Sequence, residues 1–178
     1  MFGIFSITQF GKPLDKSLYT IDLTNKIFGS NENELVLDFY NLRGWNFTTG
    51  SYCTFRTGGS CTFYTGTYCT FKTGGSCIFK TGYDCTFMTG LRCKFNTDED
   101  CTFKTGSRCT FMTGLNCTFR TSTNCTFKTG ECCTFMLWKI NTCKFKTYDN
   151  MSIILDRTDN QHYILTKELI DMMKVING

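Results

Sequence analysis

The sequence has little of what marks several large classes of protein. It holds one proline and one histidine in 178 residues, and no apolar run approaches the roughly 18 residues that a membrane-spanning helix needs. Its start, Met1-Phe2-Gly3-Ile4-Phe5, has neither the basic segment nor the long apolar segment of a secretory signal. We therefore expect no membrane partner, no secretion, and a reducing compartment in which cysteines remain thiols.

Signatures of catalysis and of nucleotide binding are absent as well. The chain shows no P-loop, no dinucleotide fingerprint and no Ser-His-Asp set. The single histidine, His162, falls in a presumed hairpin, where we expect an ordinary surface or capping residue. The sequence thus predicts a protein that is not an enzyme, with no catalytic residues, no metal site and no cofactor.

Cysteine and aromatic residues are abundant instead. The chain has 13 cysteines and 18 phenylalanines, and 16% of its residues are aromatic, which excludes an intrinsically disordered chain. Cysteine recurs every eight residues without a break from Cys53 to Cys133, and phenylalanine follows two residues after each. In most repeats threonine lies two residues after that phenylalanine, and glycine lies three residues after it. The unit therefore reads Cys-Thr-Phe-x-Thr-Gly-x-x.

This eight-residue period predicts a parallel β-solenoid. Residues two apart lie on the same side of a strand, so cysteine and phenylalanine face inward while the residues after each of them face water. One octad is then a short strand and a corner, where we expect glycine to supply a positive φ. A single octad cannot bury its own apolar residues, but coils stacked about 4.8 Å apart can. We predict an all-β fold with right-handed coils, the usual sense of parallel crossovers.

The sequence is compatible with either two or three octads per coil. Two octads give a coil of about 16 residues, which we favour by analogy with two-repeat β-rolls. Three octads would agree with Met88, Met112 and Met136, which lie 24 residues apart. In that larger coil these methionines and Tyr64 would form one outward apolar strip, which is typical of a protein interface.

Segments outside the repeat are predicted to cover the open ends of the stack. We divide the chain into an N-terminal β cap over residues 1–36, an octapeptide-repeat solenoid over 37–148 and a C-terminal cap over 149–178. Trp45 and Trp138 bracket the regular array, and we expect them to seal its apolar ends.

The C-terminal cap is predicted to hold a β-hairpin, with strands at residues 152–156 and 162–165, followed by a helix over 167–176 that Thr166 caps. One face of this helix is apolar. It carries Leu169, Met172, Met173 and Ile176. This face either covers the last coil or forms a dimerisation surface.

The repeat also carries a resemblance to known families. Cys101-Thr102-Phe103-Lys104-Thr105-Gly106 and the neighbouring octads over residues 45–147 resemble the octapeptide-repeat proteins of Marseillevirus-type giant viruses. The Cys-Thr-Phe order is also similar to the inward-facing register of pentapeptide-repeat solenoids. The first resemblance implies a viral solenoid of the host cytoplasm or the virion, and it brings no catalytic residues with it. The chain departs from the pattern at Asp98 and Ser122, which replace glycine.

The cysteines are interpreted as small core residues packed against phenylalanine rings. Their spacing lacks the clustering of a zinc site, and buried apolar thiols are unreactive. A few disulfides between stacked coils in an oxidised sample remain an alternative. Cys132, next to Cys133, is expected to point outward and to be the candidate exposed thiol.

Charge is unevenly distributed along the chain. Residues 37–148 contain 13 lysines and arginines against 6 aspartates and glutamates. In the regular array the place after phenylalanine holds seven cations and no acid: Arg56, Lys72, Lys80, Lys104, Arg120, Lys128 and Lys146. A row of cations can follow a polyanion such as DNA. The alternative is that these residues maintain solubility and prevent edge association.

The sequence therefore predicts a non-enzymatic scaffold protein of a large DNA virus. We expect it to be associated with the virion and to bind itself, as a homodimer, or other viral proteins. The alternative is a polyanion-binding module that uses the seven cations to hold DNA.

Overall fold

The computed structural model describes residues 5–147, 149, 151–158 and 160–176, with the side chains of residues 141 and 173–176 left out. In chain order the strands are β1 Ser6–Gln9, β2 Lys12–Pro13, β3 Thr20–Asp22, β4 Ile27–Gly29, β5 Leu35–Asp38, β6 Asn46–Thr48, β7 Thr54–Arg56, β8 Thr62–Tyr64, β9 Thr70–Lys72, β10 Ile78–Lys80, β11 Thr86–Met88, β12 Lys94–Asn96, β13 Thr102–Lys104, β14 Thr110–Met112, β15 Thr118–Thr121, β16 Thr126–Lys128, β17 Thr134–Leu137, β18 Lys144–Phe145, β19 Ile153–Asp156 and β20 Gln161–Ile164. Short 3-10 helices lie at Lys16–Leu18 and Ile140–Thr142, and helix α1 spans Lys167–Ile176.

Two parallel sheets face each other across the core. The odd-numbered strands from β5 to β19 form one sheet, called sheet A, and the even-numbered strands from β4 to β18 form the other, called sheet B. Within sheet A, Phe87 lies opposite Phe71 on one side and Phe103 on the other, so each coil advances by 16 residues and holds two octads. The chain is a parallel β-solenoid of about eight turns, which confirms the predicted fold class.

The three-octad coil is excluded by this register, and with it the predicted apolar strip. Met88 and Met136 lie in strands of sheet A, whereas Tyr64 and Met112 lie in strands of sheet B. The spacing of 24 residues therefore places successive members of the set on alternating faces of the solenoid. The four side chains cannot form one interface.

Phenylalanine fills the space between the sheets in two facing columns. Rings of neighbouring coils within a sheet are stacked, as for Phe103 and Phe119, whose centroids are 4.9 Å apart at 3° between planes. Rings of opposite sheets meet edge to face, as for Phe103 and Phe111 at 5.2 Å and 75°. Both geometries suit the quadrupole of an aromatic ring, and the rings from Phe47 to Phe135 are fully buried. The core is thus continuous from one end of the solenoid to the other.

The corners differ from the sequence prediction in where positive φ occurs. From Tyr52 to Cys132 the residue just before each core cysteine has a φ between 53° and 61°, and none of these residues is glycine. The repeat glycine has negative φ but lies against the neighbouring coil: a Cβ on Gly74 would be 2.7 Å from the backbone nitrogen of Gly59. Glycine is needed there for close approach of backbones, a contact between coils that one octad does not reveal.

The ends of the stack are covered by antiparallel strands. β1 pairs with β5 and with β2, β3 pairs with β4, and β20 pairs with β19. Parallel pairing itself runs from β4 to β19, so it extends beyond the 37–148 region that the repeat marks. Edge strands that end in such pairs leave fewer free backbone groups for other chains.

Helix α1 and the two tryptophans complete the ends. α1 has the predicted bounds, and the hydroxyl of Thr166 accepts a hydrogen bond from the amide of Leu169 at 3.2 Å, as expected of an N-cap. Trp45 is buried against Phe39, with centroids 4.8 Å apart, and seals the N-terminal end. Trp138 is exposed and lies under Arg157, so the prediction that it seals the other end is wrong.

Candidate functional site: the charged faces and edges of the solenoid

The seven predicted cations lie on two opposite faces. Arg56, Lys72, Lys104 and Arg120 belong to strands of sheet A. Lys80 and Lys128 belong to strands of sheet B, and Lys146 follows β18, with its amide donating to the carbonyl of Phe127. The row inferred from the sequence is therefore two rows, because alternate octads go to alternate sheets.

Sheet A presents the longer column of cations. Arg56, Lys72, Met88, Lys104, Arg120 and Met136 are in register on neighbouring strands, so successive side chains start about 4.8 Å apart. Beside them runs a column of threonines from Thr54 to Thr134. Arg56 is partly neutralised, because Asp38 lies 3.5 Å away and the guanidinium stacks over Tyr40. The remaining cations of the column are exposed.

Sheet B carries cations that the sequence reasoning missed. Lys94 and Lys144 are the residues that directly follow the core cysteine, and both side chains point outward. Their signal was a lysine at a place otherwise held mostly by threonine. Lys80 is oriented by Tyr64, over whose ring its ammonium lies at 5.4 Å.

The two edges of the solenoid carry charges of opposite sign. The corners that follow the even-numbered strands β4 to β16 form the edge that we call the acidic edge: residues 31–34, 50–52, 66–68, 82–84, 98–100, 114–116 and 130–132. The corners that follow the odd-numbered strands β5 to β17 form the basic edge: residues 40–44, 58–60, 74–76, 90–92, 106–108, 122–124 and 138–142.

Seven acids and no cation occupy the acidic-edge corners: Glu32, Glu34, Asp84, Asp98, Glu99, Asp100 and Glu131. Four cations and no acid occupy the basic-edge corners: Arg43, Arg92, Arg108 and Lys139. All of these side chains are exposed except that of Glu32, which is half-buried. The only salt bridge within the described residues joins Arg56 to Asp38, so the edges are not neutralised inside the molecule.

Backbone hydrogen bonds fix the corners of each edge at successive heights. On the acidic edge the amide of Asp84 donates to the carbonyl of Glu99 at 3.2 Å. On the basic edge the amide of Arg92 donates to the carbonyl of Ser107 at 2.9 Å. Because these bonds repeat at nearly every coil, the axial spacing of the charges is set by the fold.

Uncharged corners differ in size between the edges. On the acidic edge Tyr52 and Tyr68 are exposed and stack on one another, with ring centroids 4.7 Å apart and planes 4° apart. On the basic edge the corresponding corners are Gly58-Gly59-Ser60 and Gly74-Gly75-Ser76, which have almost no side chain. One edge thus projects aromatic rings where the other is flat.

The core cysteines are structural. All 13 cysteines are free, and all except Cys132 are buried. Their thiols lie near corner carbonyls, as for Cys101 Sγ and the carbonyl oxygen of Gly82 at 3.7 Å. Burial raises the pKa of the Cys143 thiol from an ordinary 9.0 to about 11, which makes it less reactive. Cys132 is exposed, as predicted, with its sulfur 3.8 Å from that of Met151.

The predicted self-association face of α1 is only partly visible in the structure. Leu169 is half-buried and packs against the core, and the neighbouring Ile170, which the sequence reasoning did not select, is buried at 8% exposure. Met172 is 60% exposed. The side chains of Met173 and Ile176 lie outside the described residues.

The part of the chain that the structure describes was expected to hold no metal site and no membrane-spanning helix. No group of three or more His, Cys, Asp or Glu side chains there is placed to hold a metal ion. No helix among those residues combines the length and the apolar character needed to cross a bilayer.

Comparison with known proteins assigns the chain neither a family nor a function. No protein-family model matches the chain, and no curated protein and no solved structure is significantly similar to it. The function is therefore inferred from the solenoid and its charged surfaces.

Proposed function

We propose that this protein is a non-enzymatic scaffold, a stiff rod that associates with copies of itself. The observation that carries the proposal is the unbroken core. Aromatic stacking runs from Phe47 to Phe145, and the described residues vary mainly on the outside, at the faces and corners. A repeat protein of this kind presents an extended surface on a rigid support.

The viral part of the proposal rests on the repeat itself. The Cys-Thr-Phe-x-Thr-Gly unit resembles giant-virus octapeptide repeats. On this basis the proposed scaffold belongs to the host cytoplasm or the virion, with other viral proteins as further partners.

Sedimentation velocity over a range of protein concentrations tests the scaffold. We expect the average sedimentation coefficient to rise with concentration as oligomers form. A single monomeric boundary at every concentration and at low as well as high salt would contradict the proposal.

A second candidate function is favoured by the cation column of sheet A. We propose that Arg56, Lys72, Lys104 and Arg120 bind a polyanion such as DNA along one flat face. Four phosphate contacts would give a log–log dependence of the binding constant on salt with a slope of about −3.6. Binding should therefore weaken steeply as salt is raised.

The test compares two charge-matched variants in a DNA-binding salt series. One reverses the sheet A cations Arg56, Lys72, Lys104 and Arg120 to Glu. The other reverses the sheet B cations Lys80, Lys94, Lys128 and Lys144 to Glu, which changes net charge equally. If sheet A is the site, only the first variant loses binding. Equal loss in both would indicate attraction by net charge alone, and no binding of the native protein at low salt would leave these residues as solubility determinants.

A further inference from the structure

The charged corners of the two edges follow the same order along the solenoid axis. From the N-terminal end the seven corners of the acidic edge are charged, uncharged, uncharged, charged, charged, uncharged and charged. The seven corners of the basic edge follow this order without exception. The agreement is not a property of the octad, because from Asp84 to Glu131 the charges occupy the two variable places of the unit or, at Asp98, a place where the chain departs from glycine.

Each acidic corner has its basic counterpart about eight residues later in the chain. Asp84 precedes Arg92 by one octad, and Asp100 precedes Arg108 by one octad. An octad is half a coil, so counterparts on the two edges differ in height by about 2.4 Å, half of the strand spacing. The two patterns are therefore nearly level across the width of the molecule.

From these patterns we infer that the acidic edge of one copy binds the basic edge of a second, parallel copy. This inference deepens the proposed scaffold function and rests on it. When one solenoid is translated sideways beside another, its acidic edge faces the basic edge of its neighbour. All four charged levels then meet a charge of opposite sign, and an axial shift of about 2.4 Å brings counterparts to the same height. Complementary charges at fixed spacing set both partner and register.

Shape supports the same alignment at the uncharged levels. Tyr52 and Tyr68 project from the acidic edge at the second and third levels. The basic edge there consists of the corners at residues 58–60 and 74–76, where glycines leave room for the rings. Burial of two stacked, exposed tyrosines against a flat backbone gives the contact an apolar component, as interface cores usually have.

The order of the levels also determines orientation. Read from the opposite end, the sequence of charged and uncharged corners is different, so an antiparallel neighbour would leave Asp100 facing the uncharged Ser76. The parallel contact joins two different surfaces and does not close on itself. Such heterologous contacts generate open rows of molecules. In a row of this kind the acidic edges are covered and both exposed faces, sheets A and B, are basic.

Charge-reversal variants of exposed corner residues test the contact. The first variant, Arg92→Glu with Arg108→Glu, places acids at the fourth and fifth levels of the basic edge. The second, Asp84→Lys with Asp100→Lys, places a cation at the fourth and fifth levels of the acidic edge. A matched control, Lys80→Glu with Lys128→Glu, changes net charge as the first variant does but lies on sheet B. Circular dichroism of each variant verifies that it remains folded.

Sedimentation velocity of the variants has a definite expected outcome. We expect each edge variant alone to associate about tenfold or more weakly than the native chain, since residues of like charge then face each other at positions 84 and 92 and at positions 100 and 108. The sheet B control should associate as the native chain does. An equimolar mixture of the two edge variants should recover association, and so should the single chain that carries all four edge substitutions.

Cross-linking determines the register in a Cys132→Ser background. A chain with Asp100→Cys mixed with a chain with Arg108→Cys should form an intermolecular disulfide, whereas Asp100→Cys with Ser76→Cys should not. Preferential linking of the second pair would overturn the parallel alignment.

The possible failures separate the inference from the function on which it rests. If the native protein associates and the edge variants associate equally well, the edge contact is wrong and the scaffold stands. If the native protein is monomeric under all conditions, both are wrong.

Discussion

Replacement of Phe103 by alanine gives the most direct measure of how much the core stabilises the fold. The ring is fully buried and contacts four others, with Phe87 and Phe119 stacked at 4.9 Å and Phe95 and Phe111 edge to face at 5.1 and 5.2 Å. Loss of a buried phenylalanine costs about 3–5 kcal/mol. The coils on either side are held apart by backbone hydrogen bonds and cannot collapse into the cavity, so we expect about 4–5 kcal/mol.

Urea unfolding followed by circular dichroism provides the assay. With a slope of about 2 kcal/mol per molar urea, the midpoint should fall by about 2 M. Thr102→Ala is the matched control, because the neighbouring side chain is exposed and surface substitutions usually change stability by less than about 0.5 kcal/mol.

A phenylalanine at the end of the column provides a second test of the core. Phe145 is 9% exposed, and among the described residues its ring meets two others, those of Phe127 and Phe135. Its replacement by alanine should cost clearly less than that of Phe103, because the end of the stack can adjust. A loss below about 0.5 kcal/mol for Phe103→Ala, or equal losses at both positions, would refute the assigned core.

Two further predictions concern the corners and the thiols. Gly74→Ala should lower the free energy of unfolding in urea by about 1–3 kcal/mol, because its Cβ would lie 2.7 Å from the backbone nitrogen of Gly59. The control is Ser122→Ala, at an equivalent place that already has a Cβ, which should change stability little. Equal effects of the two substitutions would contradict the close approach of the backbones at Gly74. Stability should also fall as pH rises from about 9 to about 11. Burial raises the pKa of Cys143 to about 11, so in this range the unfolded chain releases a proton that the folded chain retains. Cys143→Ala should remove about 1.4 kcal/mol per pH unit from this decline, and an unchanged decline would contradict the assignment.

The core was predictable from the sequence because its information is local. Alternation along a strand places Cys101 and Phe103 on the same side, and eight-residue recurrence requires stacking of equivalent strands. The bounds of α1 were equally local, since Thr166 and the apolar period mark its start and extent. The number of octads per coil was not readable, because two or three octads per coil give the same period along the chain.

The remaining differences depend on contacts between coils. The need for glycine at Gly74 arises from the backbone of the coil beside it, and Trp138 is exposed because the chain after β17 leaves the regular path. The opposed edges are not apparent when every octad is read at one place, the residue after phenylalanine. Sorting alternate octads separately, once the coil is known to hold two, separates Asp84 and Asp100 from Arg92 and Arg108.

The half-coil offset between acidic and basic corners has a consequence for chains of different length. Loss of residues 85–100 would remove one coil and leave the core pattern intact. It would also remove one charged level from each edge, so the shortened edges would still match each other level for level. They would no longer match those of the full-length chain beyond the fourth level. Copies that retain the same coils would therefore sort together, and the order of the coils that a chain retains would determine with which chains it assembles.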